Sequence, residues 1–266
     1  MIQSKPRAAS RLLTAGVIVL ACIGLIAAAG RATSVAISVR SHAAPEMSPY
    51  DEAALDVLAF LLRVSQERPV YTDAAEQERL IVRRFNGHPI TTLLHVVPAM
   101  LFMLLAPLQF SRRIRTRYNR WHRFAGRILV VLAIPLVFSA LYFGVVMPFS
   151  GFAEAVPILL SGVLFVVSMV RAVVAIRKRD ITAHGEWMTR MFGIALGAGV
   201  QRLIATICVV VTRRGPETWF PLSLWLGFGI SVAAAEFLVR TRRHPRKDGI
   251  HSFRVLSRNG LLRSQR

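Results

Sequence analysis

The chain has 266 residues, of which 54% are hydrophobic and 18% charged, with a mean hydropathy of +0.48. That is too apolar for a soluble domain of this length. A soluble enzyme is therefore disfavoured, and so is a nucleic-acid binder, despite a net charge of +20 and a pI near 11.7.

A helix needs roughly 20 apolar residues to cross the hydrocarbon core. Six windows meet that requirement: Leu12–Ala29, Thr91–Phe110, Phe124–Met147, Ala155–Ile176, Trp187–Val211 and Thr218–Val239. In lipid each backbone must satisfy its own hydrogen bonds, so each window reads as a helix. The expected fold is all-α: a six-helix polytopic membrane protein with a four-helix bundle core and a small outer helical insert. Its parts are an N-terminal anchor (1–30), an extracytoplasmic insert (31–90), the bundle (91–211), a sixth span (212–239) and a basic cytoplasmic tail (240–266).

The first span follows a basic start and precedes small residues at Ser34-Val35-Ala36, which resembles a secretory signal. Its apolar run is longer than a signal core, which favours a retained helix; a lipoprotein reading around Cys22 is weaker. Cys22 and Cys208 both fall in spans and read as small packing residues. In the insert, Leu55, Leu58, Leu61 and Leu62 share one helical face, with Ser48, Asp51 and Glu52 as a start signal and Pro69 as a stop. A second short helix is expected over Thr72–Phe85, ended by Asn86-Gly87. The tail His244–Arg266 reads as a solvated basic segment rather than an RNA-binding one.

Charge sorts by side. If the N-terminus is cytoplasmic, the inner segments hold 24 of the 34 Lys and Arg and only four acids, Asp180, Glu186, Glu236 and Asp248, a net +20. The insert holds 8 of the 14 acids, and the outer side is close to neutral. This is the distribution the positive-inside rule requires. It places both termini on the cytoplasmic side of the membrane, with the basic turns against anionic inner-leaflet lipids. Seven arginines between Phe110 and Arg127 mark the inner turn between spans two and three.

Several polar residues need more than topology. His95 lies about two turns inside span two, and Gln201-Arg202 sits well inside span five; ionisable groups at such depth are functional-site candidates. With Gln109 they form one possible ligand site, for an anionic or carbonyl-bearing molecule. Structural pairing with backbone carbonyls is the alternative. His122 and His184 each follow a basic turn and open an outward-going helix. Two imidazoles at one level are what bis-histidine ligation of a b-type haem iron requires. Arg123, Arg127 and Arg190 would then neutralise its propionates. Boundary His, Arg and Trp also serve as ordinary interface anchors.

The stretches "LLHVVPAMLFMLLAPLQF", "WHRFAGRILV" and "HGEWMTRMFGIALGAGVQRLI" together resemble a bacterial family of multi-pass membrane proteins. It is catalogued as a domain of unknown function, number twenty-three-oh-six in that series. Its pattern is carried here by His95, Pro107, Gln109, Phe110, His122, Arg123, Gly126, Arg127, His184, Trp187, Met188, Arg190, Arg202 and Leu203, with Ala106 where the pattern has glycine. The resemblance covers roughly Phe85–Leu238 and implies the fold and these positions, but no reaction. The resulting expectation is a membrane redox component binding haem or quinone. The alternatives are a transporter or lipid-binding protein, and a structural or assembly protein.

The charge distribution makes a direct prediction. Reporter fusions after Arg117 and Arg243 should show cytoplasmic activity, and one after Asp73 the opposite. An external signal at Arg117 would overturn the six-span scheme.

Overall fold

The computed structural model describes residues 5–41, 49–63, 69–214 and 216–243. Among them run nine α-helices: α1 (Lys5–Ser41), α2 (Pro49–Leu62), α3 (Pro69–Asn86), α4 (Pro89–Gln109), α5 (Arg112–Arg117), α6 (Asn119–Leu141), α7 (Phe152–Arg177), α8 (Ile181–Thr212) and α9 (Pro216–Arg243). A π-helical turn, Tyr142–Val146, extends α6. The described residues contain no strand. Helices α1, α4, α6 with its π turn, α7, α8 and α9 are each long and apolar enough to cross a bilayer. The chain is an all-α polytopic membrane protein. The basic tail from His244 lies outside the described residues.

Two hairpins make the centre, α4 against α6 and α7 against α8. The main core cluster draws its buried residues from these four helices: Phe102 and Ala106, Leu129 and Ala133, Phe165, and Met191, Phe192, Ile194 and Leu196. Helix α1 packs along α4 and α8, and α9 packs along α8. Between helices in lipid, close backbone approach rather than hydrophobic drive gives stability. A Cβ at Gly197 would fall 2.4 Å from the Phe228 ring, and one at Gly227 2.7 Å from the Gln201 backbone. Only glycine lets α8 and α9 come this near.

Helix boundaries differ from the hydropathy windows where polar residues begin a helix. α6 starts at Asn119 rather than Phe124, and α8 at Ile181 rather than Trp187. α1 continues past Ala29 to Ser41, so Arg31 lies inside it and the insert begins later than expected. The reason is visible in the packing. Arg31 Nη2 lies 2.6 Å from Glu78 Oε1 and 3.4 Å from Asp51 Oδ1, so α2 and α3 neutralise it. Asp51 is buried, and the guanidinium also faces the Phe85 ring at 5.5 Å. Burial pushes the Glu78 carboxyl above the ordinary carboxylate value, and Arg31 opposes that shift. Nearby, Asn86 Nδ2 donates to the buried Ser34 hydroxyl at 3.2 Å.

The insert also fixes the loop between α6 and α7. Arg84 donates to the carbonyls of Met147 and Pro148 and stacks 3.7 Å over the Phe149 ring. Glu154 Oε2 accepts the backbone N–H groups of Phe149 and Ser150 at 2.6 and 2.9 Å. Pro89 at the first position of α4 has no N–H to give the Phe85 carbonyl. The buried Thr92 hydroxyl donates to that carbonyl instead, at 2.6 Å.

Removing one partner of a buried ion pair costs about 3–5 kcal/mol. Arg31→Met should therefore lower the thermal midpoint of detergent-purified protein markedly, and adding Asp51→Leu should recover part of the loss. An unchanged midpoint in the single variant would show that the insert docks without this contact.

Candidate functional site

Tyr118 breaks the helical path, with φ −118° and ψ 47°, and α6 begins at the next residue. Asp180 begins α8 in the same manner, its carboxylate accepting the Ala183 N–H at 2.9 Å. His122 and His184 consequently occupy the same position, the fourth residue of their helices. Their N–H groups donate to the Tyr118 and Asp180 carbonyls, each at 3.0 Å. Both side chains are half-buried.

The two rings differ in their hydrogen bonds. His184 Nδ1 lies 2.9 Å from the Ala172 carbonyl oxygen on α7. A carbonyl only accepts, so Nδ1 carries the proton and a neutral ring keeps its lone pair on Nε2. His122 Nδ1 is buried with no hydrogen-bond partner. His184 and Arg115 of α5 lie within electrostatic range of His122.

Gln109 ends α4 at this same inner level. It is buried, and neither its Oε1 nor its Nε2 has a hydrogen-bond partner. Its Oε1 lies 3.9 Å from where a Cβ on Gly126 would be, one turn beyond His122 on the same face of α6. Buried polar atoms are nearly always partnered, so a cluster of three orphaned atoms marks a place that a ligand, ion or water completes. Gln109 therefore belongs with His122. It does not share a site with His95 and Arg202, as the sequence grouping had it.

The arginines around the imidazoles divide. Arg123 and Arg127 are exposed at the inner end of α6. Arg190 is committed to the scaffold: its Nε lies 2.9 Å from Glu236 Oε2, its Nη1 4.0 Å from Glu186, and its guanidinium 4.6 Å from the Trp187 ring. Arg240 joins Glu236 at 3.0 Å, and Arg243 holds both oxygens of Glu186. This network ties α8 to α9 and holds Arg190 through its Nε, while its buried Nη1 makes no hydrogen bond. Gln201 is structural as well, since its Nε2 donates to the buried Ser223 hydroxyl of α9 at 3.0 Å.

In the outer half, His95 Nδ1 lies 3.2 Å from Ser139 Oγ. Arg202 lies within electrostatic range of His95. Arg202 is nevertheless exposed, with Nη1 3.4 Å from the Ala198 carbonyl of its own helix. Arg202 thus does not face the interior between the second and fifth spans. α4 runs along α6 and α1, whereas α8 runs along α7, α9 and α1, and the Phe110 ring just past the end of α4 meets Phe192 of α8 at 5.3 Å between centroids. Sequence reasoning missed Ser139 and Arg115. Ser139 carried a usable signal as a hydroxyl within an apolar span; Arg115 was hidden among its neighbours.

Among the described residues no three His, Cys, Asp or Glu side chains are disposed to hold a metal ion, and Cys22 and Cys208 are free thiols. The model of a family described as predicted membrane protein (DUF2306) matches residues 92–239, which include each of these site positions. No curated protein and no solved structure matches the chain.

An unpartnered buried amide carries a desolvation penalty of about 1–3 kcal/mol. Gln109→Met should therefore raise the thermal midpoint of ligand-free protein, trading a binding group for stability. A lower midpoint would show that the amide is satisfied in the resting protein.

Proposed function

The chain belongs to the DUF2306 family of predicted membrane proteins, whose model covers more than half of it, and from that premise we propose that it is a membrane redox component. In this reading a b-type haem is held between His122 and His184 at the inner boundary. The protein resides in a bacterial inner membrane with both termini cytoplasmic, and its basic turns rest on anionic lipids.

One observation carries the proposal. Two imidazoles occupy equivalent first-turn positions on two helices, and one is locked by the Ala172 carbonyl with Nε2 left to coordinate. An Nδ1–H donated to a backbone carbonyl is the usual support of a metal-bound histidine, fixing both tautomer and ring orientation. Bound haem would supply one-electron chemistry, and this chain's part is to position and tune it. Gln109 supplies an amide beside the pair. Arg115, Arg123 and Arg127 supply positive charge where two propionates would emerge toward the cytoplasm. Arg190, occupied by Glu186 and Glu236, acts at one remove by fixing the inner end of α8.

Protein purified in detergent after haem-replete expression should show a Soret band that shifts on reduction. His122→Ala and His184→Ala should each abolish it while leaving the protein inserted, whereas Arg190→Lys should keep it. A wild-type preparation without haem absorbance would end this reading and move the weight to a transport or lipid-binding role for the same cluster.

A further inference from the structure

One stripe of α7 carries two cations that neither the imidazole pair nor the ion-pair network uses. Leu160, Leu164, Val167, Arg171, Val174 and Lys178 follow one another at steps of four and three residues, so they share one face, and each is exposed. Arg171 lies six residues before the helix end at Arg177, about 9 Å along the axis. Among the described residues Arg171 and Lys178 form no ion pair. The acid nearest in sequence, Asp180, accepts the Ala183 N–H that starts α8. Glu186 and Glu236 are already shared among Arg190, Arg240 and Arg243.

What holds Arg171 is an aromatic face. Its guanidinium carbon lies 5.4 Å from the centre of the Trp187 ring of α8, and that of Arg190 lies 4.6 Å from the same centre. Glu236 fixes Arg190, so the ring is steadied from within while Arg171 rests on it from the exposed stripe. Stacking occupies the face of a guanidinium and leaves its edge of N–H donors open. Tryptophan with a long basic side chain is the usual anchor at the headgroup level.

We propose that Arg171, Trp187 and Lys178 form a binding site for one anionic phospholipid of the inner leaflet, its acyl chains lying along Leu160, Leu164 and Val167. The proposal rests on the reading of this boundary as the cytoplasmic one and gives that reading a defined site. The guanidinium edge matches two phosphate oxygens, and the Lys178 ammonium adds a mobile third donor. A zwitterionic lipid would bring its own cation to a place that already holds two, so net negative charge is selected. Length agrees as well. Leu160 and Arg171 are eleven residues apart, about 16 Å, close to half of the roughly 30 Å hydrocarbon core.

Full-length protein in a mild detergent would be titrated with phosphatidylglycerol or phosphatidylcholine, and bound lipid counted by native mass spectrometry. Wild-type protein should retain one phosphatidylglycerol in preference to phosphatidylcholine. Arg171→Gln and Lys178→Gln should each weaken that retention about fivefold, the weight of one basic residue at an anionic surface. Trp187→Phe keeps a ring beneath Arg171 and should weaken it less. Arg113→Gln removes the same charge from the exposed turn helix α5 and should change nothing. No preference for phosphatidylglycerol, unchanged retention in Arg171→Gln, or an equal loss in Arg113→Gln would each overturn the proposal, the last by reducing the site to a diffuse basic surface. Lipid counting needs no haem, and a reversed orientation would alter only which leaflet supplies the lipid, so this proposal and the functional reading fail separately.

Discussion

Close approach along α8 is the constraint on which the rest of the bundle depends. Lipid tails are as apolar as leucine, so helices in a bilayer gain nothing from hiding apolar surface from one another. Stability must come from dense contact and from polar groups that find partners. α8 meets both needs by being small on the sides it shares. Gly193 lies against Ala235, Gly197 against Phe228, and Gly199 against the Leu20 carbonyl of α1. The Gln201–Ser223 hydrogen bond then fixes the register between α8 and α9. With α8 held on several sides, His184 at one end and Arg202 toward the other have defined neighbours.

The sheltered ion pairs of the bundle prove to be fasteners, and subtracting them isolates the candidates. Outside, Arg31 closes on Asp51 and Glu78, while Arg84 and Glu154 cap the loop between α6 and α7. Inside, Glu186 and Glu236 gather Arg190, Arg240 and Arg243. Each assembly joins elements distant in sequence, and each has opposite charges or carbonyls in place, the arrangement that makes a sheltered charge tolerable. The cluster of His122, His184 and Gln109 has a different character. It contains no acid, and its side chains can each both donate and accept a hydrogen bond. A scaffold gains nothing from that. A site that exchanges partners with a ligand does.

The spans and their order were legible because a 20-residue apolar run has one stable state in lipid. Helix starts were less so: the first turns of α6 and α8 are polar, and hydropathy reads such residues as loop even where they hold the imidazoles. The continuation of α1 through Arg31 was hidden for a different reason. Its neutralising acids lie 20 and 47 residues further on, and no local pattern announces them. Arg190 shows the same blindness, since its partner Glu236 lies on another helix. The grouping of Gln109 with His95 could have been avoided from sequence alone. Fourteen helical residues separate them on α4, about 21 Å at the standard rise, which puts them near opposite faces of the membrane.

That separation bears on how the two ends can communicate. Phe102, Leu129, Phe165, Met191 and Phe192 fill the middle of the four helices with apolar side chains. The Phe102 and Phe165 rings lie 5.9 Å apart, centroid to centroid. Apolar rings dominate this layer, with the buried Ser161 and Ser168 hydroxyls one turn either side of Phe165 on α7. What links the two ends is the covalent continuity of α6, which carries His122 near its start and Ser139 near its finish, 17 residues and about 25 Å apart. The stretch between them is unbroken helix apart from Pro135, and Ser139 donates to the carbonyl of that proline. A change in how Ser139 holds His95 thus falls on the weakest point of the helix that also presents His122.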